Sequence, residues 1–251
     1  MIQLAIFEDY QSLSRQAAKH IVDLIRKKPN AVLGLATGST PLGLYQELVN
    51  MYKESKVDFS NVVTFNLDEY VGLPHDHPQS YYYFMRQHLF SKVNISTANI
   101  HFPRGLFEDA GKACREYEQQ LQDIGRIDLQ ILGIGSNGHI GFNEPADRMT
   151  LETHITELTR KTITDNARFF HDSGEVPRKA ITMGIGNIMR ARTILLLANN
   201  DTKTAALNAM FSGVIDPNIP ASILQLHENV LVFVNREVAK NLKYRSTALV
   251  N

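Results

Sequence analysis

The chain of 251 residues has one cysteine, Cys114. A lone thiol cannot close an intrachain disulfide, and there is no cysteine cluster to hold zinc. Its setting, "GKACREYEQQL", reads as helical, so Cys114 is expected to be a packed side chain and not a nucleophile. Excess charge of either sign is also lacking, with 26 Lys+Arg against 26 Asp+Glu. That balance leaves no electrostatic footprint for nucleic acid. The densest basic stretch, "RKK" at 26–28, reads as a solvated helix end. Long apolar runs are missing too. The longest aliphatic stretch, "ILLLA" at 194–198, falls far short of the ~20 residues that span a bilayer. The opening "MIQLAIFEDY" has no basic segment and meets an acid at Glu8, so no signal peptide is expected. These absences together point to a cytoplasmic, soluble protein that engages neither membrane nor nucleic acid.

What is present is an ordinary globular composition, 43% hydrophobic, and a length that suits one α/β domain over 1–251. Five short apolar runs read as buried strands: "AVLGLAT" (31–37), "VVTFN" (62–66), "IDLQILGIG" (127–135), "TILLLAN" (193–199) and "VLVFVN" (230–235). They are nearly continuous rather than alternating, as in strands covered on both faces. Helical patterns lie between them: "SLSRQAAKHIVDLIRKK", "PLGLYQELVNMYKE", "SYYYFMRQHLF", "GKACREYEQQLQDI" and "TKTAALNAMF". The alternation predicts an α/β fold with a mostly parallel central sheet and helices on both faces. In such sheets ligands sit beyond the carboxyl ends of the strands, and three polar clusters follow strands here.

The first cluster is "TGSTP" at 37–41. Gly38 permits a tight turn, Thr40 suits an N-cap, and Pro41 suits the first helical position. Hydroxyls of Ser39 and Thr40 and the helix N-terminus would hold an anion, most simply a phosphate. The spacing is neither a Walker loop nor G-x-G-x-x-G, and taken alone it favours an ordinary capped strand-to-helix turn over an anion seat. The second cluster is "NLDEY", where Asp68 and Glu69 leave a strand. Adjacent side chains point apart, so only one of the acids can face a cleft centre, where partial burial would tune it as a base; a loop acid capping the next turn is the alternative. Downstream, "HDH" at 75–77 sits between Pro74 and Pro78 and reads as a solvated loop rather than a metal site.

The third cluster, "GIGSNGHIGFNEP" at 133–145, carries glycines at 133, 135, 138 and 141. Such a loop lets backbone approach a ligand closely. His139 can exchange protons near neutral pH. Glu144 lies within reach of the imidazole once the chain doubles back, and a carboxylate on one ring nitrogen frees the other to work. No serine or cysteine nucleophile accompanies them, so proton shuttling is favoured over covalent catalysis. The histidines at 20, 88, 101, 154, 171 and 227 lack such company and read as structural or surface groups.

"LATGSTPLGLY", "VTFNLDEYVGL", "SYYYFM", "GIGSNGHIGFNEP" and "NARFF" together resemble the glucosamine-6-phosphate deaminase family, in order from about residue 30 to residue 230. The resemblance implies a modified Rossmann-like fold. It also implies conversion of glucosamine 6-phosphate and water to fructose 6-phosphate and ammonia, with no cofactor and no metal. Asp68 would then move a proton between C2 and C1. His139 would open the pyranose ring, Glu144 would orient and balance His139, and Asn137 belongs to the same ring-opening set. Many relatives carry aspartate at that last position, and asparagine removes a charge beside the imidazole. The phosphate would be held by Gly38, Ser39 and Thr40, with Arg168 of "NARFF" and Lys203 of "DTKTAAL".

Compared with the longer, allosterically activated members, the segment after "NEP" has His154 and Thr156 where positive charge is expected. No activation by N-acetylglucosamine 6-phosphate is therefore expected, and the assembly is expected to be a monomer or small homo-oligomer. The stretch "ADRMTLETHITELTRKT" reads as a mobile cover. Two alternatives remain on sequence: a 6-phosphogluconolactonase-like hydrolase, whose histidine loop typically continues without "FNEP", and a sugar-phosphate effector domain, for which the neutral charge and short N-terminal region leave no DNA-binding module.

Overall fold

The computed structural model describes residues 2–167, 170 and 175–243. Its strands are β1 (Ile2–Phe7), β2 (Val32–Leu35), β3 (Val63–Asn66), β4 (Asp68–Tyr70), β5 (Ile100–His101), β6 (Leu129–Leu132), β7 (His154–Glu157), β8 (Lys179–Thr182), β9 (Thr193–Ala198) and β10 (Val230–Asn235). The helices are α1 (Tyr10–Lys27), α2 (Leu42–Lys53), α3 (Tyr81–His88), α4 (Ala110–Ile124), α5 (Arg160–Ala167), α6 (Ile185–Met189), α7 (Thr204–Met210) and α8 (Arg236–Ala239).

Seven strands form one parallel sheet in the order β1-β10-β9-β6-β2-β3-β5. Every residue of β2 and β6 is buried, as are the last five of β9. Since successive side chains point to opposite faces, both faces are covered. This is the α/β architecture expected from the runs of Val, Leu and Ile. A smaller antiparallel sheet, β4-β8-β7, stands apart from it.

The helices start where local chemistry supports them. Asp9 accepts from Ser12 N at 2.7 Å, and the Ser12 hydroxyl returns a bond to Asp9 N at 3.1 Å, closing a capping box on α1. Asp109 caps α4 through Lys112 N at 3.0 Å, and Gly125, at φ 82°, ends that helix. Each cap contributes about 1 kcal/mol.

Three segments gain definition from the structure. The opening segment is a strand, pairing with β10 along its length. The basic stretch 26–28 is the exposed end of α1, as expected, and it carries two tertiary contacts: the Lys28 ammonium reaches the buried Asp128 carboxylate at 2.7 Å, and Arg26 Nε donates to Lys56 O at 3.0 Å. The segment read as a cover is tied down in its middle, where β7 pairs with β8 and Glu118 accepts from both Thr153 N and Thr153 Oγ1 at 2.9 Å.

The chain order defines a switch point. From β2 it advances to β3 and β5 on one side; on return it enters β6 on the other side of β2, then β9 and β10. The crevice between the carboxyl ends of β2 and β6 is where a ligand fits such a sheet. The first and third polar clusters leave those two strands.

Candidate active site

One cleft opens at the switch point. Its wall includes Gly38, Ser39 and Thr40 after β2, Asp68 at the start of β4, Gly135 and His139 after β6, and Lys203 after β9. The helix α5 adds Thr162, Asp165 and Asn166, while Tyr81 and Phe142 supply ring surface. Of the nine residues singled out on sequence, Gly38, Ser39, Thr40, Asp68, His139 and Lys203 border the cleft directly. Asn137 and Glu144 stand behind His139, and Arg168 lies outside the described residues.

The loop 37–41 is built differently from its sequence reading. Thr40 does not cap α2. Pro41 occupies the cap position without a side-chain bond, and Leu42 begins the helix. Thr40 Oγ1 instead donates to Asn199 Oδ1 at 3.2 Å, tying the β2 exit to the β9 exit. The capping is done by Tyr10, whose hydroxyl accepts from Gly43 N at 2.7 Å and donates to Thr40 O at 2.8 Å. Gly38 takes φ 99°, a conformation that side chains rarely adopt. Lys203 closes a short 3-10 turn, Asp201–Lys203, immediately before α7, rather than lying within that helix.

Asp68 and Glu69 divide as two adjacent side chains must, though on a strand of the second sheet rather than in an exit loop. Asp68 faces the cleft and is 6% exposed. Burial, and then the Glu69 charge, push its carboxyl up to about 8, against a backbone N–H from Phe142. Glu69 turns away toward the first turn of α3.

Around His139 the glycine loop folds back on itself. Gly135 N donates to His139 O at 2.8 Å, and Gly138 N to Gly135 O at 3.0 Å. A Cβ on Gly135 would lie 2.4 Å from the imidazole, so the ring rests on bare backbone. His139 Nδ1 is 3.6 Å from Glu144 Oε2, an ion-pair separation too long for a hydrogen bond. Glu144 is held by Asn137 Nδ2 at 2.8 Å, Thr159 Oγ1 at 3.2 Å and Thr162 Oγ1. Burial raises its carboxyl, but the imidazole, Thr162 and Asn137 outweigh that and hold it below the usual range. Asn137 also accepts from His139 N at 3.3 Å. Its amide is therefore a donor to Glu144, a role an ionised aspartate could not fill.

Thr162, Asp165, Tyr81 and Tyr10 were not legible as site residues, because only tertiary folding brings α5, α3 and α1 to the cleft. The 75–77 stretch takes no part: the His75 ring stacks on Tyr82 at 4.2 Å, and His77 Nδ1 accepts from Gln79 N at 3.1 Å. Among the described residues no three His, Cys, Asp or Glu groups are arranged to hold a metal ion. His227 is structural, its Nε2 2.9 Å from Ala191 O.

The model for the family of glucosamine-6-phosphate isomerases and 6-phosphogluconolactonase matches residues 8–233. A glucosamine-6-phosphate deaminase of Thermoanaerobacter sp. (strain X514) is 51% identical over 238 residues, 95% of this chain and 94% of its own. One of Clostridium perfringens (strain 13 / Type A) is 49% identical over 242 residues, 96% and 100% of the two chains. The solved structure of a monomeric glucosamine-6-phosphate deaminase matches with TM-score 0.92 at 41% identity, covering 96% of this chain and 99% of that one. A 6-phosphogluconolactonase from Thermotoga maritima matches with TM-score 0.71 at 23% identity, covering 94% and 100%, a likeness of fold alone. The chain thus belongs to the glucosamine-6-phosphate isomerase/6-phosphogluconolactonase family.

Proposed function

We propose that this protein is a glucosamine-6-phosphate deaminase, acting as one domain on glucosamine 6-phosphate and water to give fructose 6-phosphate and ammonia. The observation that carries the reading is a single cleft bordered by a buried carboxyl, an imidazole backed by a carboxylate, and an anion seat. Gly38, Ser39, Thr40 and Lys203 bind the phosphate, and the family motif adds Arg168. With that end anchored, the sugar ring extends toward His139 and Asp68. His139 takes the anomeric hydroxyl proton and returns one to the ring oxygen, opening the pyranose; Glu144 balances the charge that develops on the imidazole. Asp68 removes the C2 proton and delivers it to C1 while a proton passes from the amine to the C1 oxygen, leaving an imine at C2 that water hydrolyses to the ketone and ammonia. No step calls for a cofactor.

The relatives at about half identity carry the deaminase name, whereas the lactonase match shares the fold at 23% identity. A monomer or small homo-oligomer in the cytoplasm suits the chain. The solved monomeric relative supports that assembly, and no helix among the described residues is long and apolar enough to cross a membrane. Incubation of pure protein with glucosamine 6-phosphate in chelator should release ammonia and fructose 6-phosphate in equal amounts. Hydrolysis of 6-phosphogluconolactone in place of that reaction would transfer the protein to the lactonase branch.

A further inference from the structure

Glu69 is a carboxyl that the scheme above does not use. Its side chain is fully buried, one residue from Asp68. A buried carboxylate persists only where donors compensate for lost water, and three backbone N–H groups converge on this one. Tyr70 N (2.8 Å) and Tyr81 N (2.9 Å) donate to Oε1, and Tyr82 N (3.0 Å) donates to Oε2. Two of these belong to the first turn of α3, whose dipole also favours an anion there. Asp68 has far less. The Phe142 N–H that faces it also lies 3.2 Å from Thr182 Oγ1.

We propose that Glu69 is a positioning residue for the reaction: it is the anion of the buried Asp68–Glu69 pair, its charge makes Asp68 a stronger base, and its oxygens pin the turn that sets Tyr81 on the cleft wall. The proposal rests on Asp68 being the base that moves the C2 proton.

The remaining groups around the pair do not offset that charge. Tyr81 and Tyr82 of α3, Tyr70 of β4 and Tyr117 of α4 are phenols, and burial drives Tyr70, Tyr81 and Tyr117 further from ionisation. From β8 comes the Thr182 hydroxyl, and His139 shares the cleft wall. Burial lifts Glu69 to about 7 against the pull of its three N–H donors, while burial and Glu69 lift Asp68 to about 8. Two such groups titrate as a pair. The partner with more hydrogen-bond donors ionises first, which leaves Asp68 with the higher proton affinity.

Glu69→Gln in the full chain keeps one acceptor oxygen, for Tyr70 N and Tyr81 N, sets its amide NH2 toward Tyr82 N, and removes the charge. The acid limb of kcat/KM should move to lower pH by about one unit, with KM at the plateau unchanged. In the absence of substrate, the 13C titration of the Asp68 carboxyl should move the same way. Superimposable pH profiles and an unmoved Asp68 titration in a folded variant would overturn the proposal. If the variant does not fold, wild-type titrations decide: coupled, two-step curves for Asp68 and Glu69 uphold it, and independent single steps overturn it. The carboxyl titration needs no turnover, so it stands apart from whether Asp68 is the base, which an active Asp68→Asn enzyme would refute.

Discussion

Asp68 and Glu69 are neighbours in sequence yet meet different surroundings, and the difference suits Asp68 to the role of base proposed for it. A base that takes a proton from carbon works best when its proton affinity lies near the working pH. Burial supplies that to Asp68, raising its carboxyl to about 8. The sign follows directly. Below that pH the group keeps its proton and cannot act, so kcat/KM of the free enzyme should climb as pH rises through about 8. Steady-state rates across pH 5 to 10 check this, and an acid limb at an ordinary carboxylate value of about 4 would contradict it. The acids, His139 and the glycines were legible because polar residues just past a buried strand have few structural reasons to be there. Asn137 was only half legible. Its place beside His139 could be read, but its bond to Glu144 depends on the loop doubling back.

Among the elements, those with a strong local pattern were read well. The buried runs at β2, β3, β6, β9 and β10 and the amphipathic faces of α1, α2 and α4 announce themselves through periodicity. The small sheet did not: β4, β7 and β8 are three or four residues long, and antiparallel partners far along the chain define them. Tyr10 capping of α2 was likewise invisible, since no local pattern links residue 10 to residue 43. The glycine loop makes a testable element. A methyl group on Gly135 would press on the His139 ring, and displacing a catalytic group by about 1 Å can cost on the order of 10²-fold in rate. Gly135→Ala should lose about that much in kcat while phosphate-ligand affinity is retained. Wild-type kcat in this variant would show that the ring does not depend on bare backbone beneath it.

Across the whole molecule, the order of strands decides the chemistry. Because the chain leaves β2 in one direction and β6 in the other, the loop 37–41 and the histidine loop flank one crevice, and the exits of β3 and β9 bring Asp68 and Lys203 to its sides. The sequence showed that each cluster followed a strand, but not which strands were adjacent, so convergence could be expected without its geometry being known. The most direct test is to run Asp68→Asn with glucosamine 6-phosphate in deuterated water. Deuterium should no longer enter at C1 or C2, while fructose 6-phosphate binds as it does to the wild type. Deuterium entry at the wild-type rate would contradict the account.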